Sequence, residues 1–219
     1  YGTISDITIS AGSTTGTVSF TPTDDNIYEG NETATVAISG VSGGSATENC
    51  TQETTITITE NESAPTVTLA SSASSIAENA GSSLTLTATL SGATDEAVTV
   101  SISTSGTGTE GTDYGTISDI TIAAGSTTGT ASFTPTDDNI YEAGNETAVV
   151  AISGVSGGSA TESGTQTTTI TITDNESAPT VTLASSASSI AENAGSSLTL
   201  TATMSAATTA NVTVSISTS

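Results

Sequence analysis

The side chains that could do chemistry in this chain are almost all carboxylates. Asp and Glu number 23, Lys, Arg and His are absent, and the formal net charge is −23. With no side-chain cation to pair them, their repulsion must be relieved by salt, by bound metal or by spacing the charges apart. The acids also cluster. Within residues 66–179 they fall at Glu78, Asp113, Asp137-Asp138, Glu142, Glu146 and Asp174-Asn175-Glu176. If the loops that carry them share one pole, about five or six carboxylates converge, a number of hard oxygen ligands that suits Ca²⁺. Mg²⁺ prefers fewer protein ligands and keeps its water. Zinc and copper favour His and Cys, and the chain has no His and a single Cys.

Other chemistries are poorly served. A glycosidase pair needs one carboxyl in an apolar pocket, and sugar sites are walled with aromatics. This chain has two Phe, four Tyr and no Trp. No Ser–His, Cys–His or Lys nucleophile can be assembled, so no catalytic residue is expected. Nothing could neutralise phosphate, which argues against nucleic acid and anionic membrane surfaces as partners. No apolar run approaches the ~18 residues of a spanning helix. Cys50 aligns with Gly164 in the repeat described below, so it belongs to no repeated disulfide framework. Six Asn-x-Ser/Thr triplets occur, beginning at Asn31, Asn49, Asn61, Asn145, Asn175 and Asn211. Chance matches are expected in so Ser- and Thr-rich a chain, and two fall in the acidic loops, where a glycan would interfere.

The elements that must position the acids are short and alternate with period two. Leu84, Leu86, Ala88 and Leu90 share one face of 83–90, with Ser and Thr on the other; Val98, Val100 and Ile102 do the same in 97–103. Segments 117–122, 129–133, 147–152 and 167–173 follow suit, and 66–69 continues after a break as 75–78. About seven strands with Gly-, Ser- and Asn-rich turns between them read as a two-sheet β-sandwich, and nothing reads as a helix.

The same pattern repeats along the chain. Residues 66–105 return almost letter for letter at 180–219, and 1–65 return at 114–179 with one insertion at Ala143. The expected organisation is therefore the back half of a repeat at 1–65, a complete repeat at 66–179 and the front half of a third at 180–219. Ser63-Ala-Pro65 and Ser177-Ala-Pro179 mark the boundaries. Linkers this short predict sandwiches in series in a semi-rigid rod.

These residues resemble the Calx-β domain family. The resemblance is carried by Thr136-Asp-Asp-Asn-Ile-Tyr-Glu142 followed by Asn145-Glu-Thr147, by the closing Thr169-Ile-Thr-Ile-Thr-Asp-Asn175, by Ile76-Ala-Glu78 and by Gly111-Thr-Asp-Tyr114. It covers the central repeat and both flanking halves. It implies seven-stranded immunoglobulin-like sandwiches with Ca²⁺ at one pole, and ligands at Glu78, Asp113, Asp138, Glu142 and Asp174. Family members often close on consecutive aspartates, whereas this chain has Asp174-Asn175-Glu176 and, in the first copy, Glu60-Asn61-Glu62. The neutral Asn predicts one calcium per repeat rather than several.

A half repeat cannot bury its own core, so both flanks need completion. The missing strands come either from continuing polypeptide or from a neighbouring molecule, whose 180–219 would join the next chain's 1–63 by strand complementation. In the second case a metal site would be composite, with Glu192 from one chain and Asp25, Glu29 and Glu60 from the next. The expected function is a secreted, calcium-stiffened filament or cell-surface stalk, a head-to-tail homopolymer of such repeats. The alternative is the spacer region of a large adhesin whose ligand-binding part lies elsewhere. A calcium sensor is a weaker third reading, disfavoured by near-identical tandem copies.

Overall fold

A computed structural model describes residues 1–218; Ser219, the last residue of the third expected unit, lies outside the described residues. The first copy contributes β1 (Ile27–Tyr28), β2 (Glu32–Ala37) and β3 (Glu53–Ile58). The central copy holds β4 (Thr66–Ser71), β5 (Ser75–Ala77), β6 (Leu84–Leu90), β7 (Ala93–Thr94), β8 (Val98–Gly106), β9 (Ile120–Ile122), β10 (Thr128–Phe133), β11 (Ile140–Tyr141), β12 (Glu146–Ser156), β13 (Thr161–Glu162) and β14 (Thr167–Thr173). The third copy adds β15 (Val181–Ser185), β16 (Leu200–Met204) and β17 (Ala207–Thr208).

The central copy is an all-β sandwich. One sheet runs β10-β6-β4-β13 and the other β5-β14-β12-β8-β9. Period-two alternation turns Leu86, Ala88 and Leu90 inward from β6, Val98 and Val100 from β8, and Ile170 and Ile172 from β14, all buried. Tyr114 and Phe133 stack at 5.0 Å in the same core. The break between β4 and β5 is where the chain changes sheets: β4 pairs with β6, whereas β5 runs parallel to β14. Strand β12 is longer than the alternation predicts, because a bulge between Ile152 and Gly154 lets it continue along β8. The strand expected from Ile117 starts only at Ile120, and the expectation of no helix gives way to one 3₁₀ turn at Glu78–Ala80.

The flanks are different. Each keeps one hairpin, β2–β3 and β15–β16. Ala34 is the sole buried apolar residue outside 66–179 among those described. Leu86 is 0% exposed but its counterpart Leu200 is 55% exposed; Ile120 is 0% and its counterpart Ile7 55%.

Two short parallel bridges join the copies. Ile27 and Tyr28 pair with Ala93 and Thr94, and Ile140 and Tyr141 pair with Ala207 and Thr208. The acidic loops of the first and central copies thus each touch the following copy at the same structural position.

Candidate metal centre

Five pieces of chain bring carboxylates to one pole of the central sandwich. Glu78 opens the 3₁₀ turn immediately after β5, so its side chain is delivered at the end of a strand laid along β14. Asp113 sits in the turn before Tyr114, where its Oδ2 accepts the Thr109 N–H at 2.5 Å. Asp138 and Glu142 flank β11, Glu146 begins β12, and Asp174 and Glu176 follow β14.

Two groups of three acids result: Glu78 with Asp174 and Glu176, and Asp113 with Glu142 and Glu146. Within each, the nearest carboxylate oxygens all lie within 4.8 Å of one another. Of the five ligands implied by the family resemblance, Glu78 and Asp174 fall in the first group and Asp113 and Glu142 in the second. Asp138 falls in neither; its Oδ1 accepts the Ile140 N–H at 2.6 Å and shapes the turn into β11. Its charge still bears on Glu78, Glu142 and Glu146. Glu146 and Glu176 complete the groups although the resemblance did not single them out. Their recurrence in the first copy as Glu32 and Glu62 was the signal available. Asn175 stands outside both groups and donates from Nδ2 to Glu176 Oε1 at 3.0 Å. The geometry therefore offers two three-carboxylate groups where the neutral Asn suggested a single ion.

The electrostatics match crowded anions. Burial, then repulsion from Glu142, Asp174, Glu176 and Asp138, pushes Glu78 up to about 7. Burial and Asp113 push Glu146 up to about 7 as well. Glu142 is raised by burial and by Asp113, Asp138 and Asp174. Asp174 goes the other way. Burial opposes its ionisation, but N–H groups of Glu176 and Glu142 donate to it, both at 2.8 Å, and hold it below the usual range.

The first copy carries a looser version. Asp25, Glu29, Glu32, Glu60 and Glu62 line one shallow depression. Glu60 plays the part of Asp174: its carboxylate accepts the N–H groups of Glu29 at 2.6 Å, Gly30 at 2.8 Å and Glu62 at 2.9 Å. These bonds, led by that of Glu62, lower it to about 2. In the third copy Glu192 is exposed and joins no such group among the described residues.

A cation fits the central site on one direct observation. Oε2 of Glu78, Glu142, Glu146 and Glu176 are all buried, and none has a hydrogen-bond partner. Unpaired buried anionic oxygens are costly, and this chain has no side-chain ammonium, guanidinium or imidazole to approach them. Oxygen-only donors select a hard divalent ion.

Fold and pole together define a tandem β-sandwich with an acidic, cation-competent end. The Calx-beta domain model matches residues 2–62 and 60–176, and the chain belongs to that family. Among solved structures, the apo-form Calx CBD1 domain aligns with a TM-score of 0.42 and 18% identity, over 50% of this chain and 97% of that one. No curated protein matches. No helix among the described residues is long and apolar enough to cross a membrane.

Proposed function

We propose that this chain is a load-bearing segment of an extracellular filament or stalk, built from Ca²⁺-binding β-sandwiches joined head to tail. The observation that carries the calcium reading is the set of four buried, partnerless glutamate oxygens at the pole of the central repeat. Glu78, Asp174 and Glu176 would hold one ion, and Asp113, Glu142 and Glu146 a second, with Asp138 adding charge nearby. Backbone carbonyls and water would supply the remaining ligands. Each ion would replace repulsion by attraction at the end of the sandwich that also carries β11, the strand bridged to the next copy.

The structural role is supported by the near-identical copies, by the Pro-containing boundaries and by the repeated parallel bridges. Identical or continuing repeats are the partners this arrangement calls for. The spacer region of an adhesin remains the second reading, because the same serial construction would hold a recognition domain away from a cell surface. An isotherm of calcium uptake, together with scattering-derived length in calcium and in chelator, tests the proposal. Uptake of calcium with a longer, stiffer particle is expected. No uptake and unchanged length would overturn it.

A further inference from the structure

We infer that Thr107 is a positioning residue for the second carboxylate group: its hydroxyl, clasped to Thr147, holds Asp113 beside Glu142 and Glu146 so that one ion meets all three. The inference rests on the calcium reading above and names a residue that regulates affinity at one of its two groups.

Asp113 and Glu146 reach the pole by different routes. Glu146 is the first residue of β12, whereas Asp113 lies at the end of the loop 107–113 that leaves β8. The backbone ladder between these strands stops where Ala148 opposes Gly106. Beyond that point side chains take over. Thr107 Oγ1 accepts the Thr147 N–H at 2.9 Å, Thr147 Oγ1 accepts the Thr107 N–H at 3.4 Å, and the two hydroxyls lie 3.2 Å apart. Gly108 N–H donates to the Thr147 carbonyl at 3.0 Å. The loop is thereby locked to the start of β12 across 40 positions of sequence.

The flanking glycines permit this approach. Gly106 has φ +123, and a Cβ there would strike the Thr147 carbonyl. Gly108 is buried, and a Cβ on it would sit 3.5 Å from Ile172 and 3.6 Å from Glu146 Oε2. The loop itself therefore helps cover an oxygen that has no hydrogen-bond partner.

The lock leads on to Asp113. Thr109, just beyond Gly108, donates its N–H to Asp113 Oδ2, and its carbonyl accepts the Asp113 N–H at 2.9 Å. A short hydrogen-bonded path thus runs from the neighbour of Glu146, through Thr107, to the Asp113 carboxylate. It acts against the repulsion of two adjacent anions in a chain with no cationic side chain. The Asp113 backbone is fixed separately: its carbonyl accepts the Thr136 N–H at 3.0 Å, and the next residue, Tyr114, is buried. Thr107 therefore governs where the carboxylate points more than whether the loop folds. Ligands already in place bind more tightly, because less ordering accompanies binding.

A double-mutant cycle on the full chain tests this. Thr107→Val keeps the shape and removes the hydroxyl; Asp113→Asn removes the charge. Calorimetric calcium isotherms and melts in chelator are recorded for the unaltered chain, both single variants and the double variant. Thr107→Val is expected to weaken calcium binding about five- to tenfold, what one hydrogen bond is worth, and to add nothing once Asp113→Asn is present. Thr107→Ser retains the hydroxyl and should match the unaltered chain. Thr147→Val removes the longer bond and should weaken binding about threefold; it takes the place of Thr107→Val in the cycle if that variant is unfolded in chelator. The inference is overturned if the hydroxyl-free variant binds like the unaltered chain, if its effect is the same with and without the Asp113 carboxylate, or if Thr107→Ser weakens binding as much as Thr107→Val. Calcium uptake that Asp113→Asn leaves unchanged also overturns it while the calcium reading stands. No uptake by the unaltered chain rejects that reading, and the inference with it.

Discussion

Asp174 accepts the backbone N–H of Glu142 at 2.8 Å across 32 positions of sequence, and so pins the acidic loop to the end of the closing strand. Its other oxygen takes the Glu176 N–H. Glu60 repeats the arrangement on Glu29 in the first copy. One carboxylate therefore does structural work before any ion arrives. Substituting Asp174→Ala leaves both N–H groups without this acceptor and is expected to cost about 2–4 kcal/mol in chelator. Thermal melts of the apo chain measure this, with Asp174→Glu, the natural alternative at Glu60, expected to recover most of the loss.

Glu78 is expected to behave in the opposite sense. It is buried, repelled by its neighbours and unpaired at Oε2. Glu78→Gln keeps the shape and removes the charge, so the apo protein should melt higher by roughly 1–2 kcal/mol of added stability. The same substitution should reduce the calcium-dependent gain, which for an intact site is about 2.7 kcal/mol at a hundred times Kd. Paired melts in calcium and chelator read both numbers. A variant that loses apo stability would refute the account of Glu78 as an uncompensated anion.

The pH dependence has a definite sign. Glu78 and Glu146 are raised from 4.5 to about 7 in the folded chain, so between these values the folded state holds protons that the unfolded state has released. Apo stability should therefore fall as pH rises from about 4.5 to about 7. Calcium binds the ionised carboxylates, so its affinity should climb through the same window and flatten the decline. The lowered Glu60 and Asp174 contribute stability that is lost only at more acidic pH. Melting curves from pH 4 to 8, with and without calcium, test the crossing trends.

Gly157 has φ +93, and a Cβ there would strike the Ala97 carbonyl. Gly157→Ala should cost about 2–4 kcal/mol through strain and displaced backbone. Gly43→Ala has only the strain to bear in an isolated chain, about 1 kcal/mol. Denaturant melts of the two variants should separate them clearly.

Much of this arrangement is written in the sequence. Leu86, Ala88 and Leu90 alternate with Thr, and alternation alone places them in a sheet facing a core. Glu78, Asp113, Glu142 and Asp174 are legible because each follows or precedes an apolar alternation and so lands at a strand end. Glu146 is harder to read as a ligand, because as the first residue of β12 it could face the pole or solvent. Glu176 reaches Glu78 and Asp174 because the chain bends back there, with its N–H held by Asp174. Asp138 shows the converse: a short-range bond to Ile140 N–H takes a residue of the right type out of either group. The inter-copy bridges were invisible, since two-residue strands carry no periodicity.

The near-identity of β6 and β16 also bears on how the chain reaches its fold. The pairing of Leu69 with Gln166 spans 97 positions, whereas β2–β3 and β15–β16 close locally. Hairpins form in about 1–10 μs, long before non-local sheets. The segment 15–20, the counterpart of β10, could pair with Leu84–Leu90 while the central sandwich is still assembling, since 84–90 differs from 198–204 only at its last residue. Pairing there would block β10 from its place. Near-identity between copies thus offers a kinetic competitor to the native pairing, and the shorter loop that joins β6 to β10 favours β10 over segment 15–20.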